Sequence, residues 1–289
     1  MRRGAVLLAV LVLPAALPVL AGESSAKGRL LHTRLTDGTW QVWQKDLATQ
    51  QLAQVTFTAG DKRAPVRLNS DRIAYCTSSQ TCFSGKIGEP GQDPLLRSLW
   101  PIREVAVSPD GSRIVFSKLR TDLVDQANLW IADGPDGHAR ILTTDPGVQQ
   151  HPAWSPDGRW IAYSAGDGPD TYEIYVIAAD GSQRRRLTTN QAQDLNPAWS
   201  PDGRSIAYSS NATGDYEIWV MDADGANARQ VTDSRGLDSR PVWLGGGGQI
   251  AFLSNRSGSL QLWAAAADGA APQLLETADG GVNDARWEP

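Results

Sequence analysis

The chain has 289 residues, 41% of them hydrophobic and 20% charged, which is an ordinary globular balance. Its net charge of −5 leaves no basic footprint for nucleic acid. Length alone suggests about two domains, but repeat and all-β folds run this long as one.

Arg2 and Arg3 precede an apolar run over 5–20, and the small residue Ala21 follows. This pattern predicts a secretory signal peptide over 1–21, cut after Ala21. The run is short for a bilayer span and holds Pro14 and Pro18, which argues against an uncleaved anchor. No membrane insertion is expected once it is cut. Residues 22–28 read as a disordered leader, and 29–289 as one repeat domain. A strand is expected at 29–34. Cys76 and Cys82 are the only cysteines, and both fall in the exported part, where oxidising conditions favour a bridge. They are expected to join the ends of a short loop; two free buried thiols are the alternative. Residues 81–99 carry Gly85, Gly88, Pro90, Gly91 and Pro94, so an irregular strand is expected there.

The repeat unit is clearest from 151 onward. HPAWSPDGRWIAYS at 151–164 recurs as NPAWSPDGRSIAYS at 196–209 and in worn form at 240–254. Residues 152–155 read as a short apolar strand. Ser155-Pro156-Asp157-Gly158 reads as a type I turn. A second strand follows over 160–164, apolar enough for burial on both faces. After a polar loop come a third strand at 173–178, an Asp180-Gly181 turn and a polar fourth strand at 184–188. Such a unit cannot bury its own faces and must stack on neighbours. Second-strand anchors Leu30, Ile73, Ile114, Ile161, Ile206 and Ile250 mark six copies, with third-strand aromatics Trp43, Phe83, Trp130, Tyr175, Trp219 and Trp263 on the same beat. The fold class expected is therefore all-β, a six-bladed propeller with four-stranded blades. The stretch 285–289 matches a first strand with nothing after it, and 29–34 a second strand with nothing before it. The C-terminal strand is thus expected to join the N-terminal blade and close the ring.

The motifs PAWSPDGRWIAYS, PAWSPDGRSIAYSS, FLSNRSGSLQLW and EIWVMDADG resemble the C-terminal propeller of TolB proteins, periplasmic components of the Tol-Pal envelope system. The resemblance covers nearly all of 29–289 and is strongest in the last three units. It implies a periplasmic, non-enzymatic protein-binding module, monomeric, with an envelope protein such as a peptidoglycan-associated lipoprotein as partner. TolB proteins also carry an α/β domain ahead of the propeller, for which this chain has no room. What that domain contributes, including contact with an inner-membrane partner, does not carry over.

In a propeller the SPDG and DG turns share one face. The opposite face here carries longer, varied segments at 119–128, 165–171, 210–216 and 255–260. It also carries the crossings that end at Arg63, Arg103, His151, Asn196, Arg240 and Asp284. Variable loops on a rigid frame are the usual binding surface. These six residues are expected to ring the channel mouth and to meet a polar partner; for any single one, a merely solvated rim position is the plain alternative. His151 is placed to contact a partner or to titrate with pH, or simply to cap its strand. No two histidines have zinc spacing. Met221-Asp222-Ala223-Asp224-Gly225 alternates acids as a calcium loop does, but its sister stretch at 177–181 keeps only the last acid, and a tight turn is the better reading. No metal or cofactor is expected, and no spacing supports calcium in the channel. There is no G-x-S-x-G elbow and no phosphate-binding glycine loop. The chain is read as a binding protein. The alternatives are a lyase or hydrolase acting on an extracytoplasmic polysaccharide, with Asp194, Asp238 and Asp284 as its nearby carboxylates, and a scaffold or gate for a separate protease.

Overall fold

The computed structural model describes residues 28–120, 126–135, 137–166, 170–278 and 280–288. The expected signal peptide and leader, up to residue 27, lie outside these, as do parts of the segments at 119–128 and 165–171.

The first unit contains β1 (Arg29–Thr36), β2 (Thr39–Asp46) and β3 (Leu52–Gln54). The second holds β4 (Arg63–Arg67), β5 (Arg72–Cys76), β6 (Cys82–Lys86) and β7 (Asp93–Leu95). The third holds β8 (Ile102–Val107), β9 (Ile114–Leu119), β10 (Ala127–Ala132) and β11 (Ala139–Ile141). The fourth holds β12 (Val148–Trp154), β13 (Trp160–Gly166), β14 (Glu173–Ala178) and β15 (Arg185–Arg186). The fifth holds β16 (Asp194–Trp199), β17 (Ser205–Ser210), β18 (Glu217–Asp222) and β19 (Arg229–Gln230). Then come β20 (Asp238–Leu244), β21 (Gln249–Ser254), β22 (Gln261–Ala266), β23 (Gln273–Glu276) and finally β24 (Val282–Glu288). Neighbouring strands within each unit pair antiparallel. The architecture is an all-β propeller with four-stranded antiparallel blades.

The expectation of six separate blades needs correction. Strand pairing gives four separate four-stranded sheets and one sheet of eight strands. The eight-stranded sheet joins the third and fourth units through a single parallel pair, Ala127 with Val148. The join arises because Ala127 N–H bonds to Gly147 C=O at 3.2 Å, just where the chain crosses between units. The last strand pairs with the first: β24 lies antiparallel to β1, with Leu30 opposite Trp287 and His32 opposite Ala285.

Local chemistry explains the units. The Ser155 hydroxyl donates to Asp157 Oδ1 at 2.6 Å and accepts from Trp160 N–H at 2.9 Å. Gly158 N–H closes the turn on Ser155 C=O at 2.9 Å, with φ at +66°, a conformation that favours glycine. Ser108 and Ser200 repeat both hydroxyl bonds. A second device recurs at the other edge. Thr56, Thr143, Thr188 and Thr232 each accept a backbone N–H of the third strand, from Val42, Leu129, Ile174 and Ile218, at 2.9 Å. This pins outer strands that are only two or three residues long, such as β15, which is shorter than the sequence suggests. Short, charged outer strands offer little edge for pairing with other molecules. In the second unit β6 and β7 form in register despite their glycines and prolines. Cys76 and Cys82 face each other across the β5–β6 hairpin and are joined by a disulfide, with Cα atoms 4.0 Å apart. They form a non-hydrogen-bonded pair, where side chains approach most closely.

All six anchors, Leu30, Ile73, Ile114, Ile161, Ile206 and Ile250, are fully buried. The core is divided into apolar clusters that each lie between successive units. Leu31 and Val42 pack with Ile73 and Tyr75, and Ala207 and Ile218 pack with Trp243 and Phe252. One cluster sets Leu30 and Leu47 of the first unit against Leu253 and Leu262 of the sixth.

Candidate binding site at the inner strands

The inner strands share a defect. Pairing of β12 with β13 slips between Gln150 and Ala153, of β16 with β17 between Leu195 and Ala198, and of β20 with β21 between Ser239 and Val242. The same slip occurs between Arg63 and Val66 on β4. Each bulge holds an X-Pro pair. Proline has no N–H to lose from the ladder, so the extra residue is accommodated there. The residue before each proline is left-handed: Ala64 at φ +47°, His151 and Asn196 at +54°, Arg240 at +55°. A non-glycine residue in this region costs about 1–2 kcal/mol. Bonds to neighbouring units hold the strain. His151 N–H donates to Glu104, Ala64 N–H to Asp284 Oδ2 at 3.1 Å, and Arg240 N–H to Ser209 Oγ at 3.0 Å.

The structure revises the membership of the expected ring. His151, Asn196 and Arg240 occupy equivalent bulge positions, and Asp284 stands at the matching place on β24. Arg63 and Arg103 do not. In the second unit the equivalent residue is Ala64, and Arg63 is exposed one position earlier. In the third it is Glu104, and Arg103 is the residue skipped between Ile102 and Glu104 in pairing with β9. Counting back four residues from the turn serine, Ser108 as from Ser155, would have found Glu104.

Electrostatically the ring is a compact set of opposite charges. Glu104 and Asp284 are buried, and Arg240 pairs with Asp284. Burial pulls the His151 imidazole down to about 4, with Arg240 and Arg286 pushing the same way and Glu104 and Asp284 opposing. His151 as a whole residue is half-buried. The Arg286 guanidinium is also pulled down by burial, against Glu104 and Asp284.

The other acids lie elsewhere. Asp194 is buried and accepts from Ser210 and from Asn190 Nδ2; burial raises its carboxyl. Asp238 pairs with Arg256, beside Glu217, whose carboxyl burial also raises. These are separate networks between different units. Among the described residues no group of three His, Cys, Asp or Glu is placed to hold a metal. Asp222 and Asp224 cap their own turn, bonding Asn227 Nδ2 at 2.6 Å and Ala226 N–H at 3.0 Å. Among the described residues no helix is long and apolar enough to cross a membrane.

On the SPDG side of the bulges lies a concave cavity of about 490 Å³, touched by residues from all six inner strands, β4, β8, β12, β16, β20 and β24. The sequence reading placed binding on the opposite face and did not find this cavity.

Residues 192–289 match the family model described as the TolB beta propeller domain, and residues 120–214 match that of the Tricorn protease N-terminal beta propeller domain. The fold is a TolB-like β-propeller. Among solved structures, the chain is similar to a putative TolB from Agrobacterium tumefaciens at 20% identity and a TM-score of 0.72, covering 92% of this chain and 100% of that one. It is similar to TolB from Acinetobacter baumannii at 17% identity and a TM-score of 0.75, covering 92% of this chain and 68% of that one. An oligogalacturonate lyase in complex with manganese is similar at 17% identity and a TM-score of 0.61, with 87% of this chain and 74% of that one covered. No curated protein matches the chain. At these identities the likeness carries the fold alone, and function rests on the residues of the site.

Proposed function

We propose that this TolB-like propeller is a non-catalytic protein-binding module of the bacterial periplasm. Its partner is an envelope protein, with a peptidoglycan-associated lipoprotein as the leading candidate, docked on the longer-loop face around the bulges. The observation that carries this reading is the set of left-handed residues Ala64, His151, Asn196 and Arg240 at equivalent positions. Strained backbone of this kind gathers at functional sites, and three of these positions carry polar side chains of differing chemistry. We also read the six units as a closed ring. The pairing of β24 with β1, the apolar cluster between the sixth and first units, and the cavity shared by all inner strands support closure. A rigid ring loses little ordering entropy when its loops bind.

The alternative of a polysaccharide lyase or hydrolase draws on the oligogalacturonate lyase likeness. It needs convergent carboxylates, and Asp194, Asp238 and Asp284 are each committed to separate partners. Titration calorimetry against the soluble domain of a peptidoglycan-associated lipoprotein tests the binding reading. Changing His151→Gln together with Asn196→Ala is expected to weaken binding about tenfold or more, with an unchanged melting temperature at neutral pH. No complex with the wild type, or full affinity in the double variant, would refute it.

A further inference from the structure

We propose that the cavity on the SPDG side captures the C-terminal end of a peptide whose last residue is apolar. This site is separate from the docking face proposed above and does not depend on it. Its walls are Trp154, Trp199 and Trp243 with Pro197 and Pro241, and Arg286 shares the lining. Trp154 and Trp243 spend their indole N–H groups on Ala106 C=O at 3.2 Å and Ala198 C=O at 3.0 Å. That leaves apolar ring surface toward the cavity. Proline and locked tryptophan lose almost no rotamer freedom on binding, so the cavity is preorganised. A volume of about 490 Å³ lies within the range of small-ligand sites.

Arg286 is the anomaly. The equivalent position in the other units is Val66, Ala106, Ala153, Ala198 or Val242, each opposite the residue after a second-strand anchor. Only on β24 is it an arginine, opposite Leu31. Among the described residues Arg286 makes no hydrogen bond and no ion pair. The carboxylates nearest to it are engaged: Asp284 with Arg240 and Ala64 N–H, Glu104 with His151 N–H. Arg286 is half-buried in the lining of the cavity, and a guanidinium there without a hydrogen-bonded partner is open to an anion that completes it. A carboxylate matches its fork in two parallel bonds.

The walls then select the kind of carboxylate. An internal Asp or Glu would drag flanking peptide groups against proline and tryptophan surfaces that offer few partners, leaving buried polar groups unsatisfied. A chain end brings the carboxylate and an apolar side chain on one Cα, with a single peptide N–H beside it. Capture of a C-terminal carboxylate is an established mode of peptide recognition.

The test uses the full mature chain and the peptide N-acetyl-Ala-Ala-Leu, as free acid and as C-terminal amide, followed by tryptophan fluorescence and calorimetry. The acid is expected to bind saturably and about tenfold or more tighter than the amide. Arg286→Gln should bring the acid to the level of the amide and leave the amide unchanged, and Arg286→Lys should fall between. The docking-face double variant should bind the acid as the wild type does. Equal binding of acid and amide by the wild type would overturn the proposal, as would no binding of either at millimolar concentration. Undiminished binding of the acid by folded Arg286→Gln would do the same. The wild-type comparison stands even where the glutamine variant does not fold.

Discussion

Glu276 ends β23 in the sixth unit and reaches into the first. Its carboxylate lies 3.2 Å from His32 Nε2, 2.8 Å from an Arg34 nitrogen and 3.2 Å from Lys45 Nζ. The Glu276 side chain is 4% exposed, against 20% for Arg34 and 11% for Lys45. Replacing Glu276 by alanine leaves two cations and an imidazole facing each other with no anion. Breaking a buried pair by removing one partner costs about 3–5 kcal/mol. Partial water access to Arg34 and Lys45 favours the lower end, about 3 kcal/mol. For a chain of this size, that corresponds to a fall in melting temperature of roughly 6–10 °C. Glu276→Gln should fall between, because its amide oxygen still accepts a bond. The pH dependence adds a second signature. Burial pushes the Glu276 carboxyl up, but His32 and Lys45 together hold it below its usual value. A lowered carboxylate stabilises the fold above its unfolded pKa, and that stability is lost as pH falls through the native value. The alanine variant should therefore lose part of the acid sensitivity of the wild type. Calorimetric melts at neutral and acid pH measure both effects. A melting temperature for Glu276→Ala within about 1 °C of the wild type would refute the claim that this carboxylate holds the sixth unit on the first.

Two further outcomes follow from the bulges. His151 sits near 4 in the native state against 6.5 when free, so the unfolded chain takes up its proton first as pH falls. Its contribution is complete above about pH 6.5 and drains toward pH 4, by at most about 3 kcal/mol. Urea titrations across that range should show this slope in the wild type and not in His151→Gln; equal slopes would count against it. Ala64→Val puts a β-branched side chain at φ +47° in a buried bulge and should cost at least about 2 kcal/mol in the same assay. An unchanged midpoint would mean that the left-handed geometry is not held in solution.

The second-strand anchors were legible because they recur at one period and three of them, Ile114, Ile161 and Ile206, follow an SPDG turn. Ile161 after Ser155-Pro156-Asp157-Gly158 fixes its own burial. Asn196 and Arg240 were legible for the same reason. Arg63 and Arg103 each lie one residue before the true member, at arginines that draw notice in place of Ala64 and Glu104. In the third unit no proline marks it, and in the second the true member is Ala64, which has no functional group to draw notice. Arg286 and Glu276 were hidden for another reason. Their neighbours, Glu104 and Asp284 for one and His32 and Lys45 for the other, include residues far away in the chain and become adjacent only when the last unit meets the first. The tryptophan and proline wall lies on inner strands that read from the sequence only as short apolar segments. It becomes a cavity only when six inner strands converge.

The pairing of β24 with β1 also has a consequence for biogenesis. Asp284 and Thr33, joined by a hydrogen bond, are 251 residues apart in sequence. During synthesis β1 therefore waits for β24 before its inner edge is covered. Assembly of such distant contacts is slow, and the waiting hairpin is a ready template for stray β-pairing. A chain that lacks β24 would keep that sticky margin for good, which makes β24 a checkpoint on whether the molecule matures or is cleared.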